Sequence, residues 1–167
     1  MIYESQRVYR DRLVDKQAEA TFDSMMYNLI KSHLKYPNKL TDTYFLSKVM
    51  QGQTGIIPGL PSMGRIGKED YVKLIKQAML AYEREFKALD FFFIEELMDQ
   101  IAFVERTLSM PGGSLLLAGR AGVGRKKATQ LVCHLLNINL VSPNINREYS
   151  IKEFKRDLKV WLTTTGV

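Results

Sequence analysis

Several features that define whole classes of proteins are absent from this sequence or nearly so. Its 167 residues contain one cysteine, Cys133, so no disulfide can form within the chain, and a small core residue in a reducing compartment is expected. No apolar run approaches the length needed to span a membrane, and the first residues lack the apolar core of a signal peptide. We therefore expect a cytoplasmic protein that does not contact a membrane.

Histidine is also scarce, and acidic residues are missing from a long internal stretch. The chain has two histidines, and His33 has no second histidine nearby, so the sequence predicts no metal site. No Asp or Glu occurs between Arg106 and Arg147, although the whole chain carries a net charge of +6. The centre of the chain is therefore basic, which suits an anionic ligand.

The most informative motif lies within that basic stretch, at residues 114–127. The run SLLLAGRAGVGRKK resembles a phosphate-binding P-loop, whose consensus is G-x-x-x-x-G-K-[ST]. Gly119 and Gly124 keep the spacing that lets backbone N–H groups point at phosphates, but Arg125 replaces the lysine and Lys126 replaces the hydroxyl residue. Arginine still offers donors to phosphate oxygens, whereas a lysine cannot ligate Mg²⁺. We expect ATP or ADP as the ligand, with Mg²⁺ binding disfavoured.

The residues around the motif support a phosphate-binding loop over a simple turn. Leu115, Leu116 and Leu117 form a short apolar run that is typical of a strand buried in a parallel sheet. Cations crowd the start of the following helix, where the helix dipole disfavours them unless an anion is bound. The candidate nucleotide-binding residues are Gly119, Arg120, Ala121, Gly122, Val123, Gly124, Arg125, Lys126 and Lys127.

The first half of the chain, residues 1–87, is predicted to be all-helical. Helical periodicity of apolar residues predicts helices over Gln17–Leu34 and Lys68–Lys87. Between them, residues 51–67 contain many glycines and prolines and are predicted to form a linker or long loop.

The second half, residues 88–167, alternates predicted strands and helices. A helix is predicted from Ile94, the P-loop strand and helix follow, and Ile138–Val141 is predicted as a second parallel strand. Ser150 and Glu153 form a capping box at the start of the last helix. The predicted fold class is α/β, with a helical subdomain followed by an incomplete, doubly wound parallel sheet. No predicted strand ends in the acid that a P-loop ATPase uses to hold Mg²⁺, so no catalytic residue is assigned.

Several segments together resemble dynein heavy chains. Residues 4–14 resemble the helical lid that closes the third AAA+ module, and residues 89–126 resemble the entry to the fourth module with its P-loop. Residues 142–159 resemble the segment that leads toward the acidic strand of that module. Within the family, residues 112–125 are most similar to the class of dyneins that drives retrograde intraflagellar transport. The resemblance covers most of the chain and implies a segment that crosses a boundary between two modules.

The resemblance also implies roles and partners. By position, Gly119 to Lys126 would hold the phosphates, Arg125 would stand for the phosphate-sensing lysine, and Phe91 and Phe92 would border the adenine. The partners would be the remaining modules of the heavy chain and the dynein complex, with microtubules contacted only through parts outside this chain. The location implied is the cytoskeleton, in a cilium or flagellum. The family has ATPase activity, but this chain alone is expected not to be catalytic.

Two alternatives belong to other functional classes. A small independent P-loop nucleotide-binding protein or kinase would need an acidic metal site, and the absence of acids between residues 106 and 147 argues against it. A basic nucleic-acid-binding module would spread its cations along one face beside stacking aromatic residues. Here the cations gather at one turn, so we expect no nucleic-acid partner.

Overall fold

A computed structural model describes residues 2–35, 43–47, 63–90 and 92–166. The chain forms two compact units, residues 1–75 and residues 76–167. The predicted domain boundary at residues 87 and 88 stays a prediction. No helix in the described part of the chain is both long enough and apolar enough to cross a membrane.

The first unit contains three helices and a small sheet. Its elements in chain order are α1 (Ile2–Val8), a 3-10 turn (Arg10–Arg12), α2 (Lys16–His33), β1 (Thr43–Leu46), β2 (Gly64–Gly67) and the start of α3 (Lys68–Glu85). The N-cap residue Asp15 accepts a hydrogen bond from the Ala18 backbone N–H at 2.6 Å, which explains why α2 begins where it does. The two helices predicted in this half are confirmed to within two residues at each end.

Arg10 joins the N-terminal segment to α2. Its Nε donates to both carboxylate oxygens of Asp23 at 3.1 and 2.9 Å, and its Nη2 lies 2.9 Å from Oε2 of Glu19. The Arg10 side chain is 27% exposed, so these ion pairs are partly shielded from water. A partly buried network in which one arginine pairs with two carboxylates stabilises more than an isolated surface pair does.

We expect Arg10→Ala to loosen the N-terminal helix. Loss of the network should speed amide hydrogen exchange over residues 2–13 by about tenfold, measured by mass spectrometry. Lys73→Ala is the matched control, because Lys73 bonds Asp70 at 3.0 Å with both side chains about 70% exposed. That control should change the exchange of α3 by less than about twofold. Equal effects of the two substitutions would contradict a bracing role for Arg10.

A short antiparallel sheet corrects the prediction that the first half is all-helical. Thr43 of β1 pairs with Gly67 of β2, and Leu46 pairs with Gly64. The side chain of Tyr44 is buried against Tyr71 of α3, with ring centroids 4.3 Å apart. The predicted linker over residues 51–67 is therefore wrong at residues 64–67, while residues 51–62 lie outside the described part. Four-residue strands were missed because so short an alternation gives almost no periodic signal.

The second unit is built around the contact between α4 (Glu95–Leu108) and α5 (Arg125–Leu135). Both helices bury an apolar face there, and the buried apolar residues are Leu97, Met98, Ile101, Ala102, Val104, Ala128, Leu131, Val132 and Cys133. The end of α3 also lies in this unit, and the ring of Tyr82 contacts the edge of His134 at 5.3 Å. The prediction that Cys133 is a core residue is confirmed, and its burial raises the pKa of the thiol.

The last helix, α6 (Ile151–Thr165), begins at the predicted capping box. Oε2 of Glu153 accepts a hydrogen bond from the Ser150 backbone N–H at 3.0 Å. The Tyr149 hydroxyl donates a hydrogen bond to Asp157 at 2.9 Å, which links the residue before the N-cap to the second turn of the helix. No residue of α6 is buried, and five of its apolar side chains are exposed, namely Ile151, Phe154, Leu158, Val160 and Leu162.

The predicted parallel strands are not formed among the described residues, whose sheet consists of β1 and β2 alone. Residues 115–117 and 138–141 belong to no sheet, and Leu116 is 91% exposed where burial on both faces was predicted. The mixed α/β class holds, but the incomplete doubly wound sheet is wrong for this structure. A parallel strand is stable only when neighbouring strands pair with it and helices cover both faces, so an apolar run alone does not form one.

Candidate nucleotide-binding site

The glycine-rich motif forms a loop that leads directly into α5. Gly122 and Gly124 have φ values of +87° and +83°, which lie in the left-handed region that favours glycine. Gly124 is the N-cap of α5, and its carbonyl accepts the first helical hydrogen bond from Ala128 at 2.8 Å. The predicted turn from loop to helix is therefore confirmed. Free backbone N–H groups at the start of a helix are the groups that bind phosphate in P-loops.

The side chain of Arg125 stabilises this loop through hydrogen bonds to two backbone carbonyl groups. Its Nη1 donates to the carbonyl oxygen of Leu117 at 3.1 Å, and its Nη2 donates to that of Arg120 at 2.7 Å. Nη1 also lies 3.5 Å from the position that a Cβ on Gly119 would occupy, so the guanidinium packs closely against the loop. The planar guanidinium can bridge two carbonyl groups, which the single ammonium of a lysine does less well. A role for Arg125 as the phosphate-sensing residue stays a prediction.

The three other cations of the loop are Arg120, Lys126 and Lys127, and within the described part of the chain only the last of them forms a hydrogen bond through its charged group. Lys127 Nζ donates to the carbonyl oxygen of Asp90 at 2.9 Å, which ties α5 to the segment before α4. Arg120 and Lys126 are exposed, and no described residue forms an ion pair or a hydrogen bond with the guanidinium of Arg120 or the ammonium of Lys126. Arg120 and Lys126 are therefore the cations with the most donors left for an anion.

A cavity of about 950 Å³ lies beside the loop. Its lining consists of Leu117 and residues 122–127 from the loop and α5, together with Asp90, Phe92, Ile94 and residues of the first turns of α4. Phe92 is 85% exposed yet lines this cavity, so the structure brings it together with the loop residues. Phe91, the other residue expected near the adenine, lies outside the described residues. A volume of this size is typical of pockets that hold small molecules.

Three residues of α4 that were not predicted as site residues also line the cavity: Glu96, Leu97 and Gln100. Leu97 packs against the loop, since its Cδ1 would lie 3.0 Å from a Cβ on Gly124. The sequence could have indicated that Glu96 and Gln100 lie on the same face of the predicted helix, because these polar residues are four positions apart. Among the described residues, no group of three or more His, Cys, Asp or Glu side chains could hold a metal ion.

Comparisons with known proteins point to one family. Residues 89–167 match the family model of the P-loop containing dynein motor region D4. The chain is 37% identical to cytoplasmic dynein 2 heavy chain 1 of Tripneustes gratilla, 33% to that of Homo sapiens and 34% to that of Chlamydomonas reinhardtii. Each match covers 99% of this chain and 4% of the relative.

The chain thus spans about 4% of the length of the curated relatives it matches. Because these matches cover nearly all of the chain, they favour the dynein interpretation over an independent P-loop enzyme or a nucleic-acid-binding module. The family model begins at residue 89, so the P-loop and its cavity lie within the matched region. We conclude that the chain belongs to the dynein heavy-chain family, with residues 89–167 in the D4 region of the motor.

Proposed function

We propose that this chain is a segment of a minus-end-directed microtubule motor of the retrograde intraflagellar transport type. In that motor its second half contributes a degenerate P-loop that binds a nucleotide without hydrolysing it. The support for the motor class is the similarity to heavy chains named cytoplasmic dynein 2, over 99% of this chain. The proposed location is therefore the cytoskeleton of a cilium or flagellum.

The module assignment is part of the proposal. Residues 1–87 act as the lid of the third AAA+ module, and residues 88–167 begin the fourth. Its partners are the remaining modules of the heavy chain, and microtubules are contacted through parts outside this chain. The match of residues 89–167 to the D4 motor region supports the placement of the second half.

The observation that carries the nucleotide-binding role is the cavity beside the Gly122–Lys127 loop. The loop residues of its lining carry the backbone N–H groups and the cations that suit phosphates, and Phe92, Ile94 and Leu97 supply apolar side chains that suit a base. Gly119 to Lys127 form the proposed phosphate subsite, and Phe92 borders the proposed adenine subsite.

The same residues argue against hydrolysis by this chain. Lys126 occupies the position where P-loop enzymes place the hydroxyl that ligates Mg²⁺, and an ammonium group has no lone pair to offer. The role of the site is therefore to hold ATP or ADP as a regulatory ligand.

Binding and turnover of the 167-residue chain test this proposal together. We expect a fluorescent ATP analogue to bind saturably and to be displaced by ATP and ADP, while phosphate release stays at the level of buffer. Arg125→Ala serves as the control for both measurements. An absence of saturable binding would overturn the binding role, and Mg²⁺-dependent turnover that disappears in Arg125→Ala would overturn the non-catalytic role.

A further inference from the structure

Among the described cations of the loop, Lys126 is the one that combines access to the cavity with a free charged group. Arg125 and Lys127 also line the cavity, but their charged groups donate to backbone carbonyl oxygens of the loop and of Asp90. The guanidinium of Arg120 makes no such bond among the described residues, yet Arg120 does not line the cavity. The ammonium of Lys126 therefore has three donors available to an anion in the cavity.

The cavity also contains acidic residues, and these leave the charge of Lys126 unpaired. Asp90 and Glu96 are exposed and line the cavity together with Lys126, but no described residue forms an ion pair with the Lys126 ammonium. Lys126 lies in the first turn of α5, at the positive end of the helix dipole. Its charge is therefore unfavourable there until an anion binds.

The position that Lys126 occupies is the one from which P-loops hold a metal. The consensus hydroxyl ligates Mg²⁺, and the metal in turn neutralises the oxygens of the outer phosphates. Mg²⁺ needs oxygen ligands, whereas an ammonium offers no lone pair and repels a divalent cation. The residue at this position thus does not fit Mg²⁺, but it brings a positive charge of its own.

We propose that Lys126 replaces Mg²⁺ as the counter-ion of the bound nucleotide: its ammonium donates to the outer phosphate oxygens, and the site binds ATP or ADP without a metal. This inference rests on the nucleotide-binding function proposed above. Hydrogen bonds from an ammonium to phosphate are charge-assisted and strong, so they can take over the neutralising role of the metal. The ligand class is therefore a nucleoside di- or triphosphate that needs no metal.

The test compares the affinity of the 167-residue chain for ATP in excess Mg²⁺ and in EDTA. For the wild type we expect the two dissociation constants to agree within about threefold, because Lys126 already supplies the counter-charge. Lys126→Met should weaken binding in EDTA by about tenfold or more, the effect of losing a hydrogen bond to a charged group. In this variant Mg²⁺ should restore part of the loss, because the metal then neutralises the phosphates. Lys126→Arg should bind like the wild type, since a guanidinium also donates to phosphate.

Lys155→Met is the matched control, because it removes an equal charge from an exposed side chain of α6 that does not line the cavity. We expect it to change either dissociation constant by less than about twofold. Circular dichroism compares the folding of the variants, and Lys126→Gln replaces the methionine variant should that variant fail to fold.

The outcomes separate this inference from the proposed function. If the wild-type chain binds ATP neither in Mg²⁺ nor in EDTA, the binding function fails and the inference fails with it. If ATP binds in EDTA but Lys126→Met and Lys155→Met have equal effects, the role of Lys126 alone is overturned. If Mg²⁺ strengthens wild-type binding by more than about threefold, a metal held by acidic residues such as Asp90 and Glu96 is the counter-ion. The inference is then wrong, while nucleotide binding stands.

Discussion

Replacing Gly113 with alanine is expected to destabilise the second unit more than any conservative change in its loops. A Cβ on Gly113 would overlap the backbone carbonyl oxygen of Thr107, and it would lie 2.9 Å from the Thr107 carbonyl carbon and 3.1 Å from the Met110 oxygen. These are backbone atoms at the C-terminal end of α4 and in the turn that follows it, so no side-chain rotation can relieve the overlap. We expect the free energy of unfolding to fall by about 3 kcal/mol or more.

The neighbouring glycine provides a matched control. Gly112 has φ of +68°, and a Cβ added there would meet no atom within 4 Å. Gly112→Ala should therefore cost only the strain of a left-handed alanine, about 1 kcal/mol. Urea denaturation followed by circular dichroism compares the two variants directly. Equal losses of stability would show that the turn after α4 can move away from Thr107, contrary to the geometry described here.

The second large effect concerns nucleotide affinity. Arg125→Ala removes the two hydrogen bonds that hold Leu117 and Arg120 in the loop, together with one positive charge. We expect affinity for ATP to fall by about 1.5–3 kcal/mol, the range for hydrogen bonds that involve a charged group. Arg147→Ala is the matched control, because it removes an equal charge from an exposed side chain that does not line the cavity. That control should weaken binding by no more than about 0.5 kcal/mol.

Restoring the consensus pair should change the dependence on metal. In the double variant Arg125→Lys, Lys126→Thr, the new lysine offers a compact ammonium group to phosphate, and the new threonine offers a hydroxyl group to Mg²⁺. We expect Mg²⁺ to strengthen ATP binding by about tenfold in this variant and to have little effect on the wild type. Equilibrium titrations with Mg²⁺ and with EDTA measure the difference. If neither Arg125→Ala nor the double variant alters the affinity for ATP or its dependence on Mg²⁺, the motif is only a turn that joins residues 114–118 to α5.

Local chemistry explains which features the sequence could predict. The α-helices of the second unit follow from apolar periodicity, and the start of α6 follows from the Ser150 and Glu153 capping box, because both signals act over one or two turns. The turn at Gly122 and Gly124 was predictable for the same reason, since only glycine adopts those φ values at little cost. The dynein resemblance was carried by such local motifs as well.

The tertiary structure alone decided the remaining features, because they depend on partners distant in the chain. Residues 115–117 have the composition of a buried strand, yet they form none, since no described strand pairs with them. The β1–β2 pairing joins residues about 20 apart, and the bond from Lys127 to Asp90 joins residues 37 apart. Gln100 reads as an ordinary polar helix residue until α4 packs against α5 and brings it to the lining of the cavity. Local sequence thus determined the helices and the loop, whereas packing between them determined which side chains line the cavity.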